Sequence, residues 1–255
     1  MATRQAPARA ARAPESARVR TEDIVIDAGD QRVEAYVVGP ASNEARAGAL
    51  FLHWLGEHRN DRTQFLSEAR SLAREGVRSV LPAGRLPWLV APTDAAADVT
   101  AIELEQRRLD AAFGALVDGL RATAAVGLVG HDFGAMHGLG LLARQPRIGA
   151  AVLIAGVPRW ADWFRPFWPI ETEEIAYRAA LLPHDPVRRI ADVKGELLLQ
   201  FSRNDFYIPQ FWGRELARAA GRDVALELYA ADHAMRSARA RASRTAFLER
   251  TLSVG

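Results

Sequence analysis

Hydrophobic and polar positions along the chain follow two spacings in turn, one typical of strands and one typical of helices. The first two segments, Glu22–Ala28 and Arg32–Val38, are predicted to pair as a hairpin joined at Gly29-Asp30. Further strands are predicted at Ala49–His53, Val77–Leu81, Ala125–Val129, Ala150–Ala155, Glu196–Phe201 and Val224–Tyr229. Helices are predicted at Arg62–Glu75, Asp94–Leu120, Phe133–Arg144, Gln210–Ala220 and Met235–Leu252. Strands separated by helices indicate an α/β fold whose mostly parallel sheet has helices on both faces and the antiparallel hairpin at one edge.

Two segments depart from this alternation. Residues 158–190 concentrate aromatic side chains around two prolines, and we predict that they form a short cap insertion. Residues 1–20 are rich in Ala, Pro and Arg, a composition typical of a disordered tail and also found in transit peptides. One α/β domain is therefore expected over residues 21–255.

Composition narrows the class of protein. The 255 residues are 49% hydrophobic and 25% charged, which is ordinary for a globular domain, and they include no cysteine. Disulfides, a catalytic thiol and cysteine-based metal sites are thereby excluded. The formal charge is +2, but residues 1–20 carry five arginines and one glutamate, which leaves −2 for the remainder. A net charge of −2 on residues 21–255 argues against a nucleic-acid partner.

No segment approaches the roughly 20 apolar residues that span a bilayer, and the first 20 residues lack the apolar core of a secretory signal. We therefore expect a cytoplasmic protein without a membrane partner. Oligomeric state, including a homodimer, stays open.

The segment with the clearest chemistry is Gly130-His131-Asp132-Phe133-Gly134, which lies between a predicted strand and a predicted helix. A sharp strand-to-helix turn with small flanking residues holds its central side chain above the sheet and is typical of a nucleophile elbow. The helix N-terminus places positive partial charge near Asp132. A second interpretation is that Asp132 merely caps the helix that follows.

Two further polar residues follow predicted strands. Asp205 comes shortly after Glu196–Phe201, and His233 shortly after Val224–Tyr229. The carboxyl ends of parallel strands share one edge of a sheet, so these side chains and Asp132 can converge there. The order nucleophile, acid, histidine is that of α/β-hydrolases.

On these residues the chain resembles proteins with the α/β-hydrolase fold over about residues 21–255. The Gly-His-Asp-Phe-Gly stretch resembles haloalkane dehalogenases and epoxide hydrolases, in which Asp replaces Ser, whereas the compact length is closer to dienelactone-hydrolase-like proteins. The resemblance implies that Asp132 is the nucleophile, His233 the base and Asp205 the acid that orients it. It also implies an oxyanion hole formed by backbone N–H groups of Phe133 and of Trp54 or Leu55.

The loop after the third predicted strand departs from the family. Relatives commonly have His-Gly there, whereas this chain has His53-Trp54-Leu55-Gly56. A tryptophan in place of glycine alters the backbone that would form half of the oxyanion hole.

An aspartate nucleophile also limits the substrate. A carboxylate attacking a carbonyl carbon would form an anhydride, whereas displacement at saturated carbon forms an alkyl ester. The expected substrates are therefore small, apolar epoxides or alkyl halides. Residues expected near such a substrate are aromatic: Trp160, Trp163, Trp168, Tyr177 and Tyr207.

Two other classes of function remain open. One is an esterase or lactonase in which Asp132 serves as a base or charge partner, and the other is a non-catalytic binding protein on the same fold. A G-x-G-x-x-G dinucleotide motif is absent, and neither the pair His53/His58 nor the pair His131/His137 has the spacing of a zinc motif. We expect no cofactor and no metal.

Overall fold

A computed structural model describes residues 19–42, 44–55, 62–85 and 90–254 of the chain. Eight strands form one sheet in the order β1-β2-β4-β3-β5-β6-β7-β8. Their bounds are β1 Val19–Asp27, β2 Arg32–Pro40, β3 Ala47–Leu52, β4 Val77–Pro82, β5 Val126–His131, β6 Ile148–Ile154, β7 Glu196–Ser202 and β8 Ala225–Tyr229. The β1–β2 and β2–β4 pairs are antiparallel, and all others are parallel. The predicted α/β fold is thus confirmed, including the antiparallel hairpin at one edge.

The helices pack against both faces of this sheet. Their bounds are α1 Leu66–Arg74, α2 Ala95–Val117, α3 Phe133–Arg144, α4 Trp160–Phe164, α5 Glu174–Leu181, α6 Pro186–Arg189, α7 Phe211–Ala219 and α8 Ala238–Leu252. Every residue of β3 and β5 is buried, as expected of central strands covered on two sides. Short helices α4–α6 and two turns of 3-10 helix occupy the insertion predicted at residues 158–190.

Several element boundaries differ from the predictions. Strand β5 continues through Gly130 and His131, because both residues pair with β6. Helix α1 begins at Leu66 rather than Arg62, and α8 begins at Ala238 because Met235 has a positive φ of 49° that interrupts a helix. Residues 1–18, Gly56 and His58 lie outside the described residues.

The sheet order explains how distant residues meet. Strands β5, β7 and β8 run parallel, with β6 between β5 and β7, so their carboxyl ends face the same edge. The residues that follow these three strands include Asp132, Asp205 and His233. None of the helices in the described ranges is long and apolar enough to cross a bilayer.

Candidate active site

Asp132 occupies a strained turn between β5 and α3. Its backbone has φ 53° and ψ −113°, which few residues other than glycine adopt without cost. A Cβ on Gly130 would lie 2.5 Å from the carbonyl oxygen of Gly134, so the turn closes only when residue 130 is glycine. Although Asp132 stands at the N-cap position, its side chain makes no capping hydrogen bond in the described structure. The side chain of Asp132 therefore does not act as a helix cap, which was the second interpretation of this residue.

The three predicted site side chains lie together at the carboxyl edge of the sheet. The Nδ1 atom of His233 is 2.8 Å from Oδ2 of Asp205, and its Nε2 atom is 3.7 Å from Oδ2 of Asp132. The other oxygen of Asp205, Oδ1, accepts hydrogen bonds from the backbone N–H groups of Tyr207 and Ile208. Asp205 is thus held in place and aligns the imidazole with Asp132.

This arrangement changes the protonation of His233. Burial by itself would lower the pKa of the imidazole, but the hydrogen bonds and charges of Asp132 and Asp205 together raise that pKa to about 10. The two carboxyl groups therefore favour the imidazolium form of His233.

The loop after β3 places one backbone N–H group against Asp132. The backbone N–H of Leu55 donates to Oδ2 of Asp132 at 3.1 Å. Phe133 is the first residue of α3, so its N–H has no partner within the helix. The N–H of Trp54, the other loop residue predicted for this role, donates instead to Oε1 of Gln64 at 2.9 Å. Leu55 is therefore the loop residue whose N–H reaches Asp132.

The side chains of His53 and Gln64 hold this loop, a role that the sequence did not indicate. His53 Nδ1 lies 2.8 Å from the carbonyl oxygen of Trp54, and its Nε2 accepts the N–H of Gly84 at 2.9 Å. Since a backbone N–H can only donate, Nε2 is the acceptor and Nδ1 carries the proton. Oε1 of Gln64 accepts the N–H of Trp54, which belongs to the preceding peptide unit. The direction of the Leu55 N–H thus depends on His53 and Gln64.

A cavity of about 770 Å³ lies beside these groups. It is lined by Trp54, Leu55, Trp163, Phe167, Trp168, Asn204, Phe206, Tyr207, Asp232, His233, Ala234 and Arg236. Asp132 itself is fully buried, beneath the lining residues Leu55 and His233 that contact it. Within the described residues no group of three or more His, Asp and Glu side chains is placed to hold a metal ion.

We compared the chain with protein-family models, curated proteins and solved structures. No protein-family model matches the chain, and no curated protein matches it in sequence. Solved structures do match: the acylaminoacyl peptidase of Pyrococcus horikoshii superposes on 92% of the chain with a TM-score of 0.73 at 16% identity. The chain has the α/β-hydrolase fold. It spans 42% of the length of that peptidase.

Two smaller proteins with this α/β-hydrolase fold match over nearly their whole length. The esterase domain of a Rhodothermus marinus protein has a TM-score of 0.63 at 18% identity, and the match covers 92% of this chain and 100% of the domain. A cold-adapted esterase from an Arctic intertidal metagenomic library has a TM-score of 0.62 at 17% identity, covering 92% and 93% respectively. At such identities the comparison establishes the α/β-hydrolase fold alone.

Five aromatic residues were expected near a substrate. Three of them line the cavity described above: Trp163, Trp168 and Tyr207. The other two, Trp160 and Tyr177, are not among its lining residues. Trp160 is buried against Phe133, and its indole N–H donates to the carbonyl oxygen of His184. Tyr177 is buried on α5 and donates to Oδ2 of Asp98 on α2 at 2.6 Å. Both residues attach the insertion to the domain.

Tyr177→Phe is expected to destabilise the fold by about 1–3 kcal/mol, because the buried Asp98 carboxylate loses its hydroxyl donor. Turnover at saturating substrate should stay unchanged, since Tyr177 lies away from the cavity. Thermal unfolding and kcat measured on the same preparation check both parts. A large loss of kcat without a change in stability would show that Tyr177 takes part in turnover.

Proposed function

We propose that this protein is a hydrolase that forms a covalent ester on Asp132 from small apolar substrates with a leaving group on saturated carbon. The observation that carries the proposal is a carboxylate held in the strained elbow conformation, with an imidazole 3.7 Å away that is itself aligned by Asp205. A strained conformation of this kind persists only where the surrounding structure enforces it.

The two oxygens of Asp132 suit different tasks. Oδ1 is buried and has no hydrogen-bond partner among the described residues, so no hydrogen bond has to break before its lone pairs attack. It would displace the leaving group from saturated carbon, forming the C–O bond of an alkyl ester as the leaving group departs with its electron pair. Oδ2 then becomes the ester carbonyl oxygen, which already accepts the Leu55 N–H. That donor stabilises the oxyanion when water attacks the ester carbon.

The charge on His233 changes with this first step. While Asp132 is ionised, two carboxylates hold the imidazole in its protonated form. Esterification neutralises Asp132, so the pKa of His233 falls and the imidazolium releases its proton. The neutral imidazole then takes a proton from the attacking water and returns it to the departing alcohol. The second proton of the water, left on the Asp132 carboxyl, passes back to His233 and restores the resting state. For an alkyl halide the sum is halide compound plus water giving alcohol, halide ion and a proton. For an epoxide the proton released by His233 neutralises the opened oxygen, and the sum is epoxide plus water giving a diol.

The cavity wall suggests how the leaving group is stabilised. Trp163 is 4% exposed, and its indole N–H has no hydrogen-bond partner in the described part of the structure although the residue lines the cavity. An unsatisfied buried donor is costly unless a ligand accepts from it. A departing halide or an epoxide oxygen is such an acceptor. Tyr207 lines the same cavity and can donate a second hydrogen bond.

A second candidate is hydrolysis of an ester or lactone with Asp132 as base or charge partner. The observation that favours it is the similarity to two esterases over nearly their whole length. Single turnover in ¹⁸O-labelled water separates the two mechanisms. Label in the Asp132 carboxylate supports the covalent route, whereas label in the product alone supports direct attack by water.

The covalent proposal is tested by His233→Gln, which removes the base of the second step and should leave the first step possible. After incubation with aryl epoxides or benzyl bromides, the peptide that contains Asp132 should gain the substrate mass stoichiometrically. Mass spectrometry of a proteolytic digest locates the adduct.

His184→Gln provides the matched control, because this histidine lies in the insertion and faces Glu103 rather than Asp132. It should turn over normally and accumulate no adduct. If His233→Gln shows no adduct with any substrate that the unmodified protein consumes, the covalent mechanism is wrong. Absence of turnover with every substrate, together with binding unaffected by Asp132→Asn, would identify a binding protein instead.

A further inference from the structure

Trp54, the residue at which the loop departs from the family pattern, contacts two histidine rings at once. Its indole lies 5.3 Å from the ring of His131 with an interplanar angle of 17°, and 5.4 Å from the ring of His233 at 31°. The two imidazoles are themselves 5.3 Å apart. The three rings therefore form a triangle in which each contacts the other two.

The position of Trp54 in this triangle is fixed from its backbone. Its N–H donates to Oε1 of Gln64 and its carbonyl oxygen accepts from His53. Because the Trp54 N–H can only donate, the oxygen of the Gln64 amide faces it, and the amide nitrogen faces Nδ1 of His131 at 2.6 Å. Gln64 thus ties the loop to the strand residue beside Asp132.

The same hydrogen bond defines the charge on His131. Its Nδ1 accepts from Gln64, so the ring is the neutral tautomer that carries hydrogen on Nε2. Burial lowers the pKa of His131 well below its ordinary value, which agrees with this assignment. The imidazolium of His233 consequently faces a neutral ring and an indole rather than a second cation.

On this geometry we infer that Trp54 is a positioning residue, whose indole face holds the His233 ring in the orientation that joins Asp205 to Asp132. The inference rests on the proposed function for its kinetic consequence, but the ring contact can be tested without activity. A cation against an indole face is stabilised by the negative potential of the ring. Trp54 also lines the cavity, beside His233.

The proposed mechanism gives this role a kinetic signature. His233 acts only in hydrolysis of the ester, so a displaced imidazole slows the second step and leaves the attack by Asp132 unchanged. Trp54→Leu, which retains apolar bulk without an aromatic face, should lower kcat about tenfold. KM should fall by the same factor, kcat/KM should stay constant, and the ester on Asp132 should accumulate during turnover.

Trp54→Phe keeps an aromatic face and should restore most of kcat. Trp212→Leu is the matched control, since Trp212 lies on α7 with its ring against Phe211, outside the cavity lining. It should retain the kcat and KM of the unmodified protein. A merely structural role for Trp54 would lower kcat/KM and stability together, and phenylalanine would give no selective rescue.

The Nδ1 proton of His233 provides a readout that does not depend on turnover. In the unmodified protein and in Trp54→Phe, its NMR resonance should be visible, because a fixed ring keeps the hydrogen bond to Asp205. In Trp54→Leu it should broaden or disappear through faster exchange with water. An unchanged resonance in a folded Trp54→Leu protein overturns the inference. If His233→Gln forms no adduct but this resonance behaves as expected, the proposed chemistry fails while the positioning role stands.

Discussion

Asp132→Asn is expected to lower kcat by roughly 10⁴-fold with little change in fold stability. The amide has nearly the same shape as the carboxylate, and asparagine tolerates a positive φ better than most residues. Its oxygen can still accept the Leu55 N–H. What is lost is the negative charge that attacks saturated carbon, so the first step of the proposed mechanism is removed. Steady-state kinetics and thermal unfolding of one preparation test the two parts of this prediction.

The same substitution should change the titration of His233. One of the two carboxylates that raise its pKa to about 10 becomes neutral, so that pKa should fall towards its ordinary value. An NMR titration of the imidazole measures the shift. Asp223→Asn, an exposed position in the loop before β8, should alter neither kcat nor the titration. Retention of kcat within tenfold in Asp132→Asn would exclude Asp132 as the nucleophile.

Gly134→Ala is expected to destabilise the domain by about 3 kcal/mol and to abolish most activity. An added Cβ would overlap the carbonyl oxygen of Leu52 and lie 2.7 Å from that of His53. Both contacts are backbone atoms at the end of β3, so no side chain can move aside to relieve them. Because Leu55 follows within three residues, the displacement should also misdirect its N–H. Denaturant unfolding and kcat measure the two effects.

Gly114→Ala provides the matched control on a helix. A Cβ at Gly114 meets no atom within 4 Å, and alanine is the better helix former, so stability should rise slightly or stay constant. Activity should be unchanged because Gly114 lies within α2. Equal stability of the Gly134→Ala and Gly114→Ala proteins would contradict the close approach of α3 to β3 that positions Asp132.

The sequence did not predict which aromatic residues of the insertion line the cavity. Tryptophans in the insertion have the same composition signal whether they pack inward or face a cavity, and only the packing of α4 separates the buried Trp160 from the cavity residue Trp163. The sequence predicts that Tyr177 contacts substrate, yet its hydroxyl donates to Asp98, 79 residues earlier in the chain. Neither the spacing of residues nor the hydropathy of the sequence predicts the contact between Tyr177 and Asp98.

The loop that contains Trp54 and Leu55 is a second example. The sequence indicated that Trp54 breaks the family pattern, but not which of two adjacent N–H groups reaches Asp132. The choice depends on two hydrogen bonds of Trp54: its N–H donates to Gln64, and its carbonyl oxygen accepts from His53. Gln64 carried no signal of its own, since an isolated glutamine at the start of a helix is ordinary.

By itself, the sequence determined the alternation of strands and helices, the small residues around Asp132 and the order of Asp132, Asp205 and His233. These features are local, because they depend on hydrophobic spacing, on backbone sterics and on the rule that parallel strands end at one edge. Tertiary structure alone decided which groups contact the carboxylate. The Leu55 N–H lies 77 residues from Asp132, and Gln64 lies 67 residues from His131. Contacts of this kind arise from the packing of separate elements, whose geometry is not encoded in any one segment.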